Sequence, residues 1–487
     1  MRSRSAIAIA ALAGVLTAAS LPPFRFWWLA PVGYAGLTAV LLDRGRRQRL
    51  LVAGMFFLSF FTVGLAWMVE FSIPGAVLLV LLESALVAAF VLVVPRSRGA
   101  AFLAVPAVVV LAEMARYRLP LGGLPMAGPA LGQVDGPLLP LARTGGDFLV
   151  VLVVAVLGAA IAAVVTGWRT GHPGLRRSGT AVLVVFAGLT AAAHLVPVPE
   201  ATAPLRVAYV QGGGVRGLRA VENTVTDVYG NQLEAQAQVR TPVDLVVWPE
   251  DVIDLPGPIA QDPIRTEIGA LAKRLNTTIV AGVVEDFQDD KFKNAAVAWD
   301  RSGKIVDRYD KVHRVPFGEY VPARSLVSKL GDFSPVPRDA HPGKGDGLLL
   351  TRNVELGVMI SYEVFFPERA LIATRAGGEL LLVPTNASSF KGRQVPEQEV
   401  AAAQLRAVSM GRDLVQAAPT GHSAFVDAHG NTAKVSKLGA GVAEQTTLQR
   451  RSARTPYVRW GDAPMVAIVL LLLIVALRLD RSVKSTL

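Results

Sequence analysis

The 487-residue sequence reads as an α-helical membrane bundle of about eight transmembrane helices joined to a soluble α/β domain. Three observations lead there. Hydrophobic residues make up 52% of the chain and charged residues only 18%, below the roughly 25% charge of ordinary soluble domains, so the apolar excess needs a solvent other than water. That excess is segregated into runs near 5–20, 28–42, 50–69, 75–94, 100–115, 147–166 and 179–197, with an eighth at 464–479, each scaled to cross about 30 Å of hydrocarbon. Between Pro204 and Arg454 no such run occurs, and short strand-like pieces such as Leu245-Val-Val-Trp248 alternate with polar turns and helical stretches. The division is a bundle over 1–200, a soluble domain over 204–454 and a closing helix over 464–479.

Basic residues set the orientation of the bundle. Arg2, Arg4, the loop Asp43-Arg-Gly-Arg-Arg-Gln-Arg49, Arg96, Arg98, Arg169, Arg176, Arg177 and the tail with Arg478, Arg481 and Lys484 fall on one side if every run spans. The alternate loops, such as Leu21-Pro-Pro-Phe-Arg-Phe-Trp-Trp28, are nearly uncharged or aromatic. The positive-inside rule then puts both termini in the cytoplasm and 204–454 on the outer face. Much of the net charge of +11 is topological, and with no basic helix or stacking motif beside it nucleic acid is not an expected partner. The start, Met1-Arg-Ser-Arg4 followed by a short apolar stretch and Thr17-Ala-Ala-Ser20, would also pass as a cleavable signal peptide. Six further apolar segments favour a retained first helix. The chain has no cysteine, which removes disulfides, thiolate metal sites and a thiol nucleophile.

The soluble stretch opens with Leu205-Arg-Val-Ala-Tyr-Val-Gln211, a buried-strand pattern, and then Gly212-Gly-Gly-Val-Arg-Gly217. That string satisfies G-x-G-x-x-G after a strand, the mark of a dinucleotide site. The next acid at a strand end, Glu250, comes well over 30 residues on instead of about 20, behind Pro249, so a glycine-rich loop is the better reading. Glu250 follows a Val/Leu-rich strand, where open sheets place ligand sites; it is a candidate general base, or else a capping or solvated acid. Asn294 to Tyr309 reads as a hairpin around Asp300-Arg-Ser-Gly303, leading into Asp310-Lys-Val-His313 and Val315-Pro-Phe-Gly-Glu-Tyr-Val-Pro322. Gly318 allows a tight turn beside the carboxylate of Glu319. In Leu356-Gly-Val-Met-Ile-Ser-Tyr-Glu363 an apolar strand runs into Ser361 and then toward a helix, an elbow of the kind that exposes a nucleophile. A buried or capping serine is the alternative. G-x-S-x-G is absent and the histidines offer no Ser-His-Asp arrangement, so a reactive Ser361 would take a Glu and a Lys as partners.

Taken in order, Trp248-Pro-Glu250, Asp310-Lys-Val-His313, Val315-Pro-Phe-Gly-Glu-Tyr-Val-Pro322 and Ile360-Ser-Tyr-Glu363 resemble the nitrilase, or carbon-nitrogen hydrolase, superfamily. With the membrane segments before and after, the whole chain resembles the apolipoprotein N-acyltransferase family. Gln211, Asn294, Pro384-Thr-Asn386, Gln404-Leu-Arg-Ala-Val408 and Gly411-Arg412 add to the likeness. The resemblance implies an extracytoplasmic nitrilase-like αββα sandwich on a bacterial inner membrane, with no metal or cofactor. It implies transfer of an acyl chain from a phospholipid donor, through a covalent acyl-enzyme, to the N-terminal amine of a diacylated lipoprotein. In that scheme Glu250 is the general base, Lys311 stabilises the oxyanion, Ser361 holds the nucleophile position, and Glu319, Glu363, Tyr362 and Asn294 support them.

The chain departs from the family at telling places. Ser361 stands where the family has cysteine, Asn386-Ala-Ser-Ser-Phe-Lys-Gly392 replaces an Asn-Asp-x-Trp-Phe-Gly stretch, and Ser409 replaces a usual glutamate. The loop Leu119 to Gln133 lacks the usual tryptophan. An alcohol is much harder to ionise than a thiol of pKa about 8.5, so a carboxylate base suited to the thiol is poorly matched to it. The readings are a serine-dependent acyltransferase, a chain whose cysteine was replaced by experiment, or a catalytically impaired homologue. An impaired homologue would dock a partner such as a polyprenol-phosphate glycosyltransferase. A membrane-tethered amidase is a further alternative.

Overall fold

The computed structural model describes residues 3–217, 225–288, 291–327, 336 and 338–485; Arg2 of the topology argument lies outside them. The chain divides into two compact units, Met1–Pro197 with Arg459–Leu487, and Val198–Val458.

In the first unit every apolar run of the sequence is helical: α1 (Ser3–Ala18), α2 (Leu29–Leu41), α3 (Arg46–Gly64), α4 (Ile73–Ala89), α5 (Arg98–Arg116), α6 (Ala142–Arg169), α7 (Pro173–Ala193) and a C-terminal helix, Ala463–Ser485. By length and composition five helical stretches among the described residues are long and apolar enough to cross a membrane: Ile73–Val93, Arg98–Arg116, Leu139–Arg169, Pro173–Ala193 and Ala463–Arg481. The expectation of about eight exceeds this count for a physical reason. α1 and α2 are apolar but short, and α3 spends its first turn on Arg46, Arg47 and Arg49. Arg49 is buried and donates to the carbonyls of Leu41 at 3.1 Å and Val94 at 2.5 Å, tying off neighbouring helix ends. Large apolar side chains point outward, Leu78 at 68%, Val184 at 66% and Leu471 at 60% exposure. Such a surface is costly in water and ordinary in lipid; the protein is a multi-pass membrane protein.

The bundle also buries an ion cluster. Arg116, at the end of α5, donates from Nε to Glu83 of α4 at 2.7 Å and from Nη1 to both oxygens of Glu113 at 3.0 and 3.2 Å. Its Nη2 donates to the carbonyls of Leu124 and Met126 at 2.8 and 2.7 Å, pinning the loop that follows the helix.

The second unit is built from strands β1 (Ala203–Gln211), β2 (Leu245–Val247), β3 (Ile253–Leu255), β4 (Thr278–Asp286), β5 (Lys291–Trp299), β6 (Ile305–Asp310), β7 (Asp339–Ala340), β8 (Leu348–Leu350), β9 (Glu355–Val358), β10 (Leu380–Pro384), β11 (Leu414–Ala417), β12 (Ala424–Val426), β13 (Thr432–Ala433) and β14 (Val442–Arg450). One sheet runs β14-β1-β2-β4-β5-β6, with β3 on β4 and β7 on β5; the other runs β13-β12-β11-β10-β9-β8. Period-two alternation explains the layering. On β1, Val207 and Tyr209 enter a core shared with Leu356, Val358 and Leu382 of the other sheet. Ala208 and Val210 face the opposite way, into a core with Ala235 of α8 (Val225–Gln236) and Ile268 of α9 (Ile264–Leu275). Besides the single turn α10 (Arg324–Val327), the second sheet has α11 (Pro367–Ala376) and α12 (Gln394–Met410). The result is an αββα sandwich, each fully buried Val or Leu of its central core contributing about 1.5–3 kcal/mol. The glycine-rich loop is spoken for: Gly213, Gly214 and Gly217 donate their N–H groups to the carbonyls of Pro419, Gly439 and Ser388, so they do not form a phosphate cradle.

Candidate active site

The site forms where strands of the first sheet end. Pairing of β2 with β4 runs one residue past the strand, through the N–H of Trp248 to the carbonyl of Val280 at 2.8 Å, and the Trp248 indole donates to Gln236 of α8 at 2.6 Å. Pro249 and Glu250 then lie tight against Gly282 of β4, where a Cβ would fall 2.3 Å from the Pro249 carbonyl oxygen. Only glycine permits that approach. Asn294 sits mid-way along β5, buried, and its carbonyl accepts from the N–H of Lys311 just past β6 at 2.9 Å. These positions bring four side chains together. The Lys311 ammonium lies 2.8 Å from Glu250 Oε1 and 2.9 Å from Glu319 Oε1. The Asn294 amide donates to the same two oxygens, at 2.7 and 3.2 Å. The turn Val315 to Glu319 closes on itself, with the Val315 N–H donating to Glu319 Oε2 at 2.7 Å.

A second buried carboxylate stitches this strand end to the serine elbow. Glu363 Oε1 accepts from the N–H groups of Val312 and His313 at 2.8 and 3.0 Å, and its Oε2 accepts from the N–H of Ile360 at 2.8 Å. The Tyr309 hydroxyl donates to it as well, at 2.9 Å. One carboxylate therefore holds the backbone directly after Lys311 and the backbone directly before Ser361. Ser361 opens a 3₁₀ turn, Ser361–Phe365, between β9 and α11. It is buried with φ +51°, a left-handed conformation that costs a non-glycine residue about 1 kcal/mol or more and persists where the surroundings enforce it. Tyr362 packs edge-on against Phe366 at 5.1 Å, and Phe366 stacks on His313 at 4.3 Å. Glu250, Lys311, Glu319 and Asn294 form one directly bonded group; Ser361 and Tyr362 join it through Glu363, not through a bond of their own to Lys311.

Burial raises the proton affinity of Glu250 above the usual carboxylate range, and Lys311 opposes that only in part. For Lys311 burial works against the charge, but Glu250 and Glu319 outweigh it and hold the side chain as an ammonium. The pairing suits acyl transfer: a carboxylate with raised proton affinity is a stronger base than an ordinary one, and a fixed cation meets an oxyanion without reorganising.

Two acids here escape a reading of motifs. Asp251, with φ +57°, accepts from the Asn386 amide at 3.2 Å. Burial raises its proton affinity, and Glu250 beside it raises it further. Glu399, on the wholly buried face of α12, accepts from the Thr385 hydroxyl at 2.7 Å. Burial pushes it up to about 8, with Glu250 adding to the effect. Thr385 and Asn386 are consecutive, so a chain of contacts runs from α12 to the residue after Glu250. Adjacency to Glu250 was the sequence signal for Asp251; Glu399, an acid ahead of Val400-Ala-Ala-Ala403, had only its apolar setting.

Comparisons with known proteins cover both units. Residues 13–160 match the family described as apolipoprotein N-acyltransferase N-terminal domain, and residues 206–451 match carbon-nitrogen hydrolase. The apolipoprotein N-acyltransferase of Photobacterium profundum is 27% identical over 496 residues, covering 94% of this chain and 92% of that protein. The one from Geobacter metallireducens is 28% identical over 344 residues, covering 67% of this chain and 64% of that protein. Among solved structures, Saccharomyces cerevisiae Nit3, of branch 10 of the nitrilase superfamily, aligns with a TM-score of 0.38 at 19% identity, over 52% of this chain and 92% of that one. With its helical N-terminal domain followed by its carbon-nitrogen hydrolase domain, the chain belongs to the apolipoprotein N-acyltransferase family.

Proposed function

We propose that this protein transfers an acyl chain from a phospholipid, through an acyl ester on Ser361, to the N-terminal amine of a diacylated lipoprotein. In the first half-reaction Glu250 takes the hydroxyl proton as Ser361 Oγ attacks the phospholipid ester carbonyl. The oxyanion that forms is met by the Lys311 ammonium; collapse breaks the ester bond and Glu250 returns the proton to the departing lysophospholipid oxygen. The lipoprotein amine then attacks acyl-Ser361, the same two groups acting in the same roles, and the serine is regenerated. Glu319 and Asn294 orient Lys311 and Glu250, Glu363 positions the elbow, and Tyr362 lines it. Both substrates being membrane lipids, the reading includes all eight apolar helices as spans, cytoplasmic termini and residues 204–454 on the outer face of a bacterial inner membrane.

The single observation that carries this reading is the arrangement at Lys311. Two of its three N–H donors are taken by Glu250 and Glu319, and among the described residues nothing takes the third. The raised proton affinity of Glu250 also narrows the mismatch between a carboxylate base and a hydroxyl. The test is transfer of a labelled acyl chain from phospholipid to a diacylated lipopeptide by the full chain, Ser361→Ala and Ser361→Cys. Transfer abolished by Ser361→Ala and raised by Ser361→Cys is expected. Equal transfer by the parent and Ser361→Ala would remove Ser361 from the mechanism. A second reading, a homologue that docks a partner enzyme, is favoured by the serine at the nucleophile position; silence of both the parent and Ser361→Cys would move it ahead.

A further inference from the structure

Away from Lys311, a cavity of about 420 Å³ opens between the β8–β9 turn, the C-terminal end of α11 and the stretch that follows β14. Its charge is unbalanced. Four arginines line it, Arg352, Arg375, Arg450 and Arg454, against two carboxylates, Glu355 and Glu379. Arg450 is committed to Glu379 at 2.8 Å. Arg454 is exposed, gives one N–H to the carbonyl of Arg375 at 3.1 Å, and has no carboxylate partner among the described residues. Arg352 pairs through Nε with Asp300, which is not among the lining residues, at 3.3 Å.

The wall behind adds to the positive field. Arg412 donates to the carbonyls of Gly378, Ser452 and Ala453. Burial above all, and Arg451 and Arg454 nearby, pull it down to about 10 despite Glu379. The hydroxyl of Thr374, 2% exposed, is buried on the same wall with no partner among the described residues. Because α11 presents its carbonyl end here, attraction for an anion comes from the guanidiniums and not from a helix dipole.

We propose that this cavity binds a phosphate group, carried by a phospholipid headgroup or present as free phosphate. A guanidinium presents paired donors in a fork that fits two phosphate oxygens, and several guanidiniums around one cavity are the usual solution for that ligand. The cavity's polar walls exclude an acyl tail, and its volume exceeds a bare phosphate and accommodates a headgroup with its glycerol. Thr374 supplies a neutral donor at the back. The assignment does not depend on acyl transfer, since binding is read without turnover.

The experiment titrates the full chain, in a phosphate-free maltoside detergent, with short-chain phosphatidylglycerol below its micelle concentration and separately with inorganic phosphate, by calorimetry. The parent is expected to bind, and Arg352→Gln/Arg454→Gln and Thr374→Val are each expected to weaken binding by about 10-fold. Tighter binding of the lipid assigns the site to headgroups; equal binding assigns it to free phosphate. If the double variant does not fold, phenylglyoxal modification of Arg454 in the parent decides: phosphate at saturating concentration should slow it several-fold. No binding by the parent, an unchanged affinity in both variants, or no protection of Arg454 overturns the proposal.

Discussion

Each unit buries one cation between two carboxylates, and the two clusters are built to opposite ends. In the bundle, Arg116 has five N–H groups and five acceptors: one on Glu83, two on Glu113 and the carbonyls of Leu124 and Met126. No N–H of Arg116 is left over, so it acts as a staple joining α4, α5 and the loop after α5, with only Glu83 Oε1 unmet among the described residues. In the α/β unit, Lys311 has three donors and two carboxylate acceptors. A donor left over is what the proposed oxyanion role of Lys311 requires. The charge count is the same; the donor count separates structure from chemistry.

The largest expected effects contrast the two cations. Lys311→Ala should cut acyl transfer by about 100-fold or more in the Ser361→Cys background, the scale of losing a principal oxyanion contact. Arg116→Ala leaves two buried carboxylates without their partner and should cost about 3–5 kcal/mol of stability, with transfer per folded molecule little changed. Thermal unfolding and single-turnover acyl transfer on both variants separate the cases. Loss of activity without loss of stability at Arg116 would erase the distinction.

A conservative exchange sharpens the contrast at smaller scale. Arg116→Lys supplies three donors for five acceptors, leaves two buried partners unmet and should destabilise by about 1–3 kcal/mol. Lys311→Arg keeps the charge but fills the space of the third donor, so transfer should fall about 10-fold while the thermal midpoint holds.

The smallest effect is a pH dependence from Glu399. Burial pushes it up to about 8 from the ordinary 4.5. Between those values the folded chain keeps a proton that the unfolded chain has released, so the contribution to stability is full below about pH 4.5 and is lost as pH rises toward 8. Glu399→Gln should match the parent near pH 4.5 and unfold a few degrees higher at pH 9. An unchanged difference across that range would mean that Glu399 is ionised in the fold.

Much of this organisation was legible in the sequence because it rests on short-range pattern. Segregated apolar runs and the stretch from 204 to 454 without them mark the two units, and strands that stop just before Glu250, Lys311 and Ser361 mark where strand ends gather polar groups. Span number was less legible, since hydropathy treats Arg49 as an interruption while its partners, the carbonyls of Leu41 and Val94, are supplied by the fold. The link from Glu399 through Thr385 and Asn386 to Asp251 joins residues 148 positions apart and carries no periodic signal. Nor do Arg352, Arg375 and Arg454, which converge only when β8, α11 and β14 pack into one unit.

The most direct measurement is the mass of the peptide bearing Ser361 after the full chain is incubated with phospholipid in the absence of lipoprotein. Proteolysis and mass spectrometry should find that peptide heavier by one fatty acyl group, with the gain lost in Glu250→Gln and Ser361→Ala and discharged when a diacylated lipopeptide is added. An unmodified Ser361 peptide in a preparation that still transfers acyl chains would contradict the acyl-serine intermediate and, with it, the role proposed for Lys311.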